Sequence, residues 1–172
     1  MFKGIFILGV SFSLAFADVT DGAFNFNLGD NLNQSKIIRT TRSNNLWTTY
    51  KVKHNNIGKL TSFYVTVGKF NNSIQHIYAE SKNYNMNKCF DDLKVIKIAL
   101  VNKYGKFNTD DGYESTNHLR TYHVNCSTKD LVHFSMSIGV EDKNLKRQNE
   151  LLSKKEKLKI LKNESSEYLN KL

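Results

Sequence analysis

The sequence predicts one α+β domain, with an antiparallel sheet of about five strands and a long C-terminal helix. Three observations lead to this prediction. Apolar and polar residues alternate in three successive segments, and a segment with helical spacing follows them. A second pair of alternating segments then precedes an end rich in lysine, glutamate and leucine. A length of 172 residues is usual for a single domain.

The first residues have the pattern of a secretory signal peptide. Lys3 precedes an apolar run from Gly4 to Phe16, and positions 15–17 read Ala-Phe-Ala, which matches a small-x-small cleavage pattern. The run is shorter than the roughly 20 residues that span a bilayer. We therefore expect removal of residues 1–17, export to the periplasm or beyond, and no transmembrane segment afterwards. Residues 18–140 would form the domain, and residues 141–172 a basic helix.

The next segments predict a lead-in and a β-meander. Residues 24–30 alternate like a short strand, a short helix is expected through Ile38, and residues 40–45 have the composition of a polar loop. Strands are then predicted from three segments that alternate apolar with polar or aromatic residues and are separated by Asn- and Gly-containing turns: residues 46–53, 61–69 and 74–80.

An amphipathic helix is predicted between Asn87 and Gly105. Its apolar face collects residues at steps of three and four, namely Cys89, Leu93, Ile96, Leu100 and Tyr104. Gly105 can take the left-handed conformation that ends a helix. We expect this helix to pack its apolar face on the sheet.

A second hairpin is predicted from residues 118–126 and 131–138. Its two inward-facing sets share one side of the sheet only if a bulge or an odd-length turn lies near residues 127–130. With a three-residue loop, His123 and His133 would lie directly opposite each other on the outward face.

The two cysteines favour one disulfide bond, Cys89 to Cys126, because exported proteins meet an oxidising environment. Closing a loop of that size could stabilise the fold by roughly 3–4 kcal/mol in the chain-entropy model. The alternative is a pair of free buried thiols.

From Glu141 onward the composition predicts a long helix whose heptad pattern is too interrupted for a coiled coil. The formal net charge of +9 favours an acidic protein or another anionic surface as a partner, and nucleic acid is not expected. A solvated helix face is the alternative reading. The cations that could form an interaction surface are Lys146, Arg147, Lys154, Lys155 and Lys157.

No catalytic, cofactor or metal motif is present in the sequence. It lacks the HExxH spacing, a phosphate-cradling glycine loop and a nucleophile elbow, so no catalytic residue, cofactor or metal is predicted. His123 and His133 together with Lys129 would permit acid–base cleavage of RNA. The two histidines could also form a metal site if His118 or an acidic loop supplied a third ligand. The alternative is a set of solvated histidines on a sheet face.

Four segments carry a resemblance to known proteins. They are FNFNLGD near the expected mature start, SFYVTVGK and IQHIYAES in the meander, and a C-x3-L…L-x3-YG helix that precedes the Cys126 strand. From Phe24 to Leu145 the layout resembles small exported bacterial proteins of uncharacterised function. The resemblance implies a periplasmic α+β domain with a helix-to-strand disulfide, and it implies no activity.

These observations favour a non-enzymatic binding or accessory protein of the cell envelope. Two alternatives remain open. One is a secreted basic hydrolase or toxin, similar to an RNase, that uses His123 and His133. The other is a protein that binds the envelope surface through its basic C-terminal helix.

Overall fold

The fold is the predicted α+β class, as a computed structural model shows. The predicted signal peptide, the acidic residues Asp110 and Asp111, and His118 lie outside the described ranges, which are 22–81, 85–104, 112–114, 120–130 and 133–169. The elements in chain order are β1 (Gly22–Ala23), β2 (Phe26–Asn27), a 3-10 turn (Gln34–Lys36), β3 (Ile37–Ser43), β4 (Trp47–Val52), β5 (Leu60–Gly68), β6 (Ile74–Ser81), α1 (Met86–Tyr104), β7 (Gly112–Glu114), β8 (Arg120–Asp130), β9 (His133–Asp142) and α2 (Lys143–Leu169).

One antiparallel sheet organises the described part of the chain. Its seven strands lie in the order β3-β4-β5-β6-β9-β8-β7, and β1 pairs separately with β2. The meander therefore forms one half of the sheet, and β9 extends it by pairing with β6. The predicted bulge is confirmed, since the β8–β9 register shifts between Thr128 and Asp130.

Two strands of the sheet were not predicted. The short helix expected through Ile38 is instead a 3-10 turn, in which the Asn33 Oδ1 accepts a hydrogen bond from the Ser35 backbone N–H at 3.0 Å. The expected loop at 40–45 belongs largely to β3, whose β-branched residues pair with β4 at the sheet edge. The strand is mostly exposed, so it carries no apolar alternation. Strand β7 lies between the predicted helix and the predicted second hairpin, where no strand was expected.

The hydrophobic core lies between α1 and one face of the sheet. Val65, Ile77 and Val124 are among the least exposed side chains on that face. Helix α1 buries Cys89 and Leu93, and it lies against β8 and β9. The predicted disulfide is confirmed: Cys89 bonds to Cys126 of β8, with Cα atoms 6.1 Å apart. It ties the helix to the sheet.

Polar side chains attach the first part of α2 to the end of the sheet. Asp142 accepts a hydrogen bond from the Leu145 backbone N–H at 3.0 Å and so caps the helix start. Asn149 is 1% exposed. Its Nδ2 donates to the Leu46 carbonyl at 2.7 Å, and its Oδ1 accepts from the backbone N–H of Phe70 at 2.8 Å. After Ser153, residues 154–166 are exposed, so only the first part of the helix packs on the domain.

Candidate ligand-binding face of the sheet

The face of the sheet opposite the core carries polar and aromatic side chains, because successive strand residues point to opposite sides. We call it the polar face. It is formed by residues that the strand register aligns in neighbouring rows: Arg42, Thr49, Thr66, His76, Lys51, Tyr64, Tyr78, Gly139, His123, Glu80 and Ser137.

The central row of the polar face is a series of rings. Tyr64 stacks on Tyr78 with ring centres 4.8 Å apart and an interplanar angle of 15°. The imidazole of His76 stacks on Tyr78 at 4.9 Å, and the imidazole of His123 lies 5.1 Å from that of His76. Four rings from three strands are thus in continuous contact, and each fixes the position of the next.

Gly139 makes this ring contact possible. It lies between Tyr78 and His123 in the strand register. A Cβ atom at this position would lie 2.7 Å from His123 Cε1 and 2.8 Å from the carbonyl oxygen of Ile77. A glycine inside a strand often marks such a close approach, and here it lets the rings of neighbouring strands lean over the backbone.

A groove of about 320 Å³ runs along the neighbouring row. The hydroxyls of Thr49 and Thr66 form a buried hydrogen bond of 2.8 Å at its base. Arg42 of the edge strand and Lys146 of α2 both line it, together with the His76 and Tyr78 rings. The groove therefore combines two cations with hydroxyl and ring groups, and Glu80 adds one carboxylate to its lining.

The position of Lys146 follows from the docking of α2. Its Nζ forms an ion pair of 2.7 Å with Glu141 at the end of β9. Asn149 lies three residues further along the helix and fixes that turn against Leu46 and Phe70. The C-terminal helix thus contributes one side chain to the groove that the sheet creates.

Burial keeps His76 and Tyr78 neutral at pH 7. Burial first, and then the neighbouring His123 and Lys146, lower the pKa of His76 from 6.5 to about 3. Burial and then the carboxylate of Glu80 raise the pKa of Tyr78 to about 12. The pKa of Tyr64 is raised in the same way, first by burial and then by Glu80.

These pKa values favour binding over acid–base chemistry. A general base works best with a pKa near the operating pH, and His76, with a pKa of about 3, is a weak base at neutral pH. Its Nε2 is buried without a hydrogen-bond partner among the described residues. The arrangement supplies hydrogen bonds, ring surface and positive charge to a ligand.

The structure separates the two histidines that were predicted to face each other. His123 pairs with Gly139, whereas His133 pairs with Asp130 near the end of the hairpin. The expected opposition is wrong because both strands continue past the assumed turn, with Thr128 still paired to Phe134. His123 instead contacts His76. Among the described residues, no group of three or more His, Cys, Asp or Glu side chains is arranged to hold a metal ion.

Of the five predicted interaction cations, the structure brings Lys146 alone to the groove. Arg147 is exposed on the next position of α2. The other three lie beyond the docked part of the helix and are exposed: Lys154, Lys155 and Lys157.

Most residues of the groove were not predicted from the sequence. Arg42, Trp47 and His76 were not predicted as site residues, although all three line it. A signal was present in the alternation itself, since the residues opposite the apolar set of β6 include His76 and Tyr78. A second signal was Gly139 within an otherwise regular strand.

The fold and the site together define an α+β protein with a helix-to-strand disulfide and an open polar sheet face. Comparisons with protein-family models, curated proteins and solved structures find no match to the chain. The resemblance to small exported bacterial proteins therefore stays a prediction. Within the described ranges, neither helix contains a stretch long and apolar enough to cross a membrane.

Proposed function

We propose that this protein is a non-enzymatic binding protein of the cell envelope and that its polar face holds an acidic segment of another envelope protein. The observation that supports this most directly is the groove itself. Arg42 and Lys146 line it together with the neutral rings of His76 and Tyr78, and these two cations outnumber its lining carboxylate, Glu80. A carboxylate that enters it would meet two cations and hydroxyl donors at once.

The charge of the chain agrees with an acidic partner. A formal net charge of +9 raises the association rate with an anionic protein. The disulfide between Cys89 and Cys126 is of the kind that persists in oxidising compartments. Export through the predicted signal peptide at residues 1–17 is part of the proposal.

A peptide titration followed by NMR tests the proposal. We expect a short peptide rich in Asp, Glu and Tyr to shift the imidazole resonances of His76 and His123, and a lysine-rich peptide of equal length to leave them unchanged. Arg42→Gln and Lys146→Gln should each weaken binding about tenfold, because each removes a charge-assisted hydrogen bond.

Arg147→Gln is the matched control, since it removes the same type of charge from the adjacent, exposed position. It should change the affinity by less than twofold. Equal shifts from the acidic and basic peptides, or equal effects of the three variants, would contradict the proposal.

The basic helix offers a second proposed contact with an anionic envelope surface. Lys154, Lys155 and Lys157 are exposed beyond the docked part of α2. If they bind such a surface, co-sedimentation with anionic vesicles should fall when all three are changed to Gln. Binding that persists in this variant, or that is equal for neutral vesicles, would exclude this role.

A further inference from the structure

A second cavity lies at the other end of β4 and shares no lining residue with the groove. It has a volume of about 530 Å³, within the range of small-molecule sites. The β1–β2 hairpin, the start of β3, the end of β4 and the start of β5 surround it. We call it the hairpin cavity.

The wall of the hairpin cavity is aromatic. Phe24, Phe26 and Phe63 all line it and are buried. Phe24 meets Phe63 edge-on, with ring centres 5.3 Å apart. Ile38 also lines it and is 52% exposed. The cavity thus offers apolar surface to a ligand that enters from solvent.

The backbone that places Phe24 is strained. Phe24 has φ 54° and Asn25 has φ 60°, so two non-glycine residues in succession adopt the left-handed conformation. Such a conformation costs roughly 1–2 kcal/mol for a residue with a bulky side chain. Two left-handed residues in succession form the two-residue turn that joins β1 to β2, a position where Asn and Gly are usual and Phe is not. Here the turn holds the Phe24 ring against Phe63 as part of the cavity wall.

His54 leaves one hydrogen bond unmade at this wall. Its ring lies 4.3 Å from that of Phe63 and 6.3 Å from that of Phe24. Its Nδ1 lies 2.6 Å from the carbonyl oxygen of Asn55, which can only accept, so Nδ1 carries the proton. The buried Nε2 has no partner among the described residues. A buried polar atom without a partner is costly and often marks a functional position.

The charges around the hairpin cavity have one sign. Lys36, Lys51 and Lys53 line it, and no Asp or Glu is among its described lining residues. Lys36 Nζ lies 5.0 Å from the centre of the Phe26 ring, and Lys51 Nζ donates to Ser62 Oγ at 3.2 Å. Because Lys51 directs its ammonium to Ser62 on the polar face, Lys36 and Lys53 are the cations beside the apolar walls that add positive potential to the cavity.

We propose that the hairpin cavity binds an amphiphilic organic anion. Its apolar part would lie against Phe24, Phe26 and Ile38, and its carboxylate or phosphate group would lie beside Lys36 and Lys53. The apolar wall selects against a bare inorganic anion, and the lysines select against a neutral or cationic amphiphile.

Calorimetric titration of the purified protein tests this with defined probes. We expect octanoate and octyl phosphate to bind, and octylamine, octanol, acetate and inorganic phosphate to bind at least tenfold more weakly. The imidazole resonances of His54 should shift with the two anionic amphiphiles. Vesicles with an anionic phospholipid form a second arm. If the protein binds octanoate but not the vesicles, the ligand is a soluble amphiphile. If the protein also binds the vesicles, the ligand is a membrane lipid.

Variants separate this site from the groove. Lys36→Gln and Lys53→Gln should each reduce the affinity for octanoate about tenfold, because each removes one cation from the cavity. Lys69→Gln is the matched control: it changes an exposed lysine at the other end of β5, and it should leave octanoate binding unchanged. Arg42→Gln should also leave it unchanged, which distinguishes this cavity from the groove.

Three outcomes would overturn the proposal. They are no octanoate binding at millimolar concentration, equal binding of octylamine, or the same affinity in the Lys36, Lys53 and Lys69 variants. Failure here leaves the acidic-peptide experiment on the groove unaffected, since the two sites share no lining residue.

Discussion

Replacing Asn149 should release the C-terminal helix from the sheet. Asn149→Ala removes three hydrogen bonds: the N–H groups of Phe70 at 2.8 Å and Asn71 at 3.2 Å lose their acceptor, and the Leu46 carbonyl loses the 2.7 Å bond but keeps the one from the Lys69 N–H at 2.9 Å. These bonds are only partly buried, so each loss should cost about 1 kcal/mol, the low end for an unsatisfied group. Alanine regains up to about 0.7 kcal/mol of helix propensity. The expected net loss in the free energy of unfolding is about 2 kcal/mol.

Urea denaturation measures this loss directly. A change of about 2 kcal/mol should lower the midpoint by about 1 M at a typical m value. Asn163→Ala is the matched control, because Asn163 is exposed on the same helix and gains the same propensity. It should lose no stability and gain at most about 0.7 kcal/mol, the propensity term alone. If the two variants unfold at the same urea concentration, the Asn149 hydrogen bonds do not hold α2 to the sheet.

Three further measurements address the ring row and the disulfide. The pKa of His76 is about 3 in the folded protein and 6.5 in the unfolded reference, so the unfolded chain takes up a proton first as the pH falls. The free energy of unfolding should therefore drop by about 1 kcal/mol from pH 7.5 to 5.5. His76→Gln should flatten this pH dependence in urea titrations. Changing Cys89 and Cys126 together to Ser should lower the free energy of unfolding by about 4 kcal/mol for a bridge spanning 37 residues, and a loss below about 1 kcal/mol would contradict the loop-closure account. Gly139→Ala should lower the free energy of unfolding by about 1–3 kcal/mol and weaken acidic-peptide binding, because its Cβ would lie 2.8 Å from the Ile77 carbonyl oxygen. Unchanged stability and binding would refute the role of the glycine.

The core of the fold could be predicted because its buried residues recur at the regular spacing of a strand or a helix. The alternation around Val65 placed β5, and the helical spacing from Cys89 to Leu100 placed α1. The partner of Cys89 followed from there being only two cysteines. Strand β3 left no such signal, since it lies at the edge and buries little. Its pairing with β4 is a tertiary effect that no local pattern records.

The docking of α2 depends little on its apolar residues. Leu145 packs on the core, but Leu151, Leu158 and Leu161 are exposed. The fully buried contacts come from Asn149 and Ser153. From the sequence, an asparagine inside a basic helix is expected to be solvated, because the backbone groups to which it hydrogen-bonds are not yet known. Those groups are far away in the sequence, at the ends of β4 and β5.

The candidate groove could not be predicted either, because its residues come from strands that are distant in the sequence. Its rings come from β5, β6 and β8, and only the strand order β5-β6-β9-β8 brings His123 towards His76 across Gly139. The predicted pairing of His123 with His133 depended on the length of one turn. A displacement of the turn along the hairpin moved His123 to a different neighbour.

Stability and binding are coupled in this structure, because one helix serves both. Lys146 lies about one turn before Asn149 on α2, so the bonds of Asn149 also hold Lys146 beside His76. Asn149→Ala should therefore weaken acidic-peptide binding under conditions where the sheet remains folded, whereas Asn163→Ala should leave it unchanged. Such a loss would appear without any change at the hairpin cavity, where octanoate binding provides an internal reference. Undiminished peptide binding in Asn149→Ala would mean that the ion pair between Lys146 and Glu141 alone positions the cation, and the coupling between helix docking and the groove would be refuted.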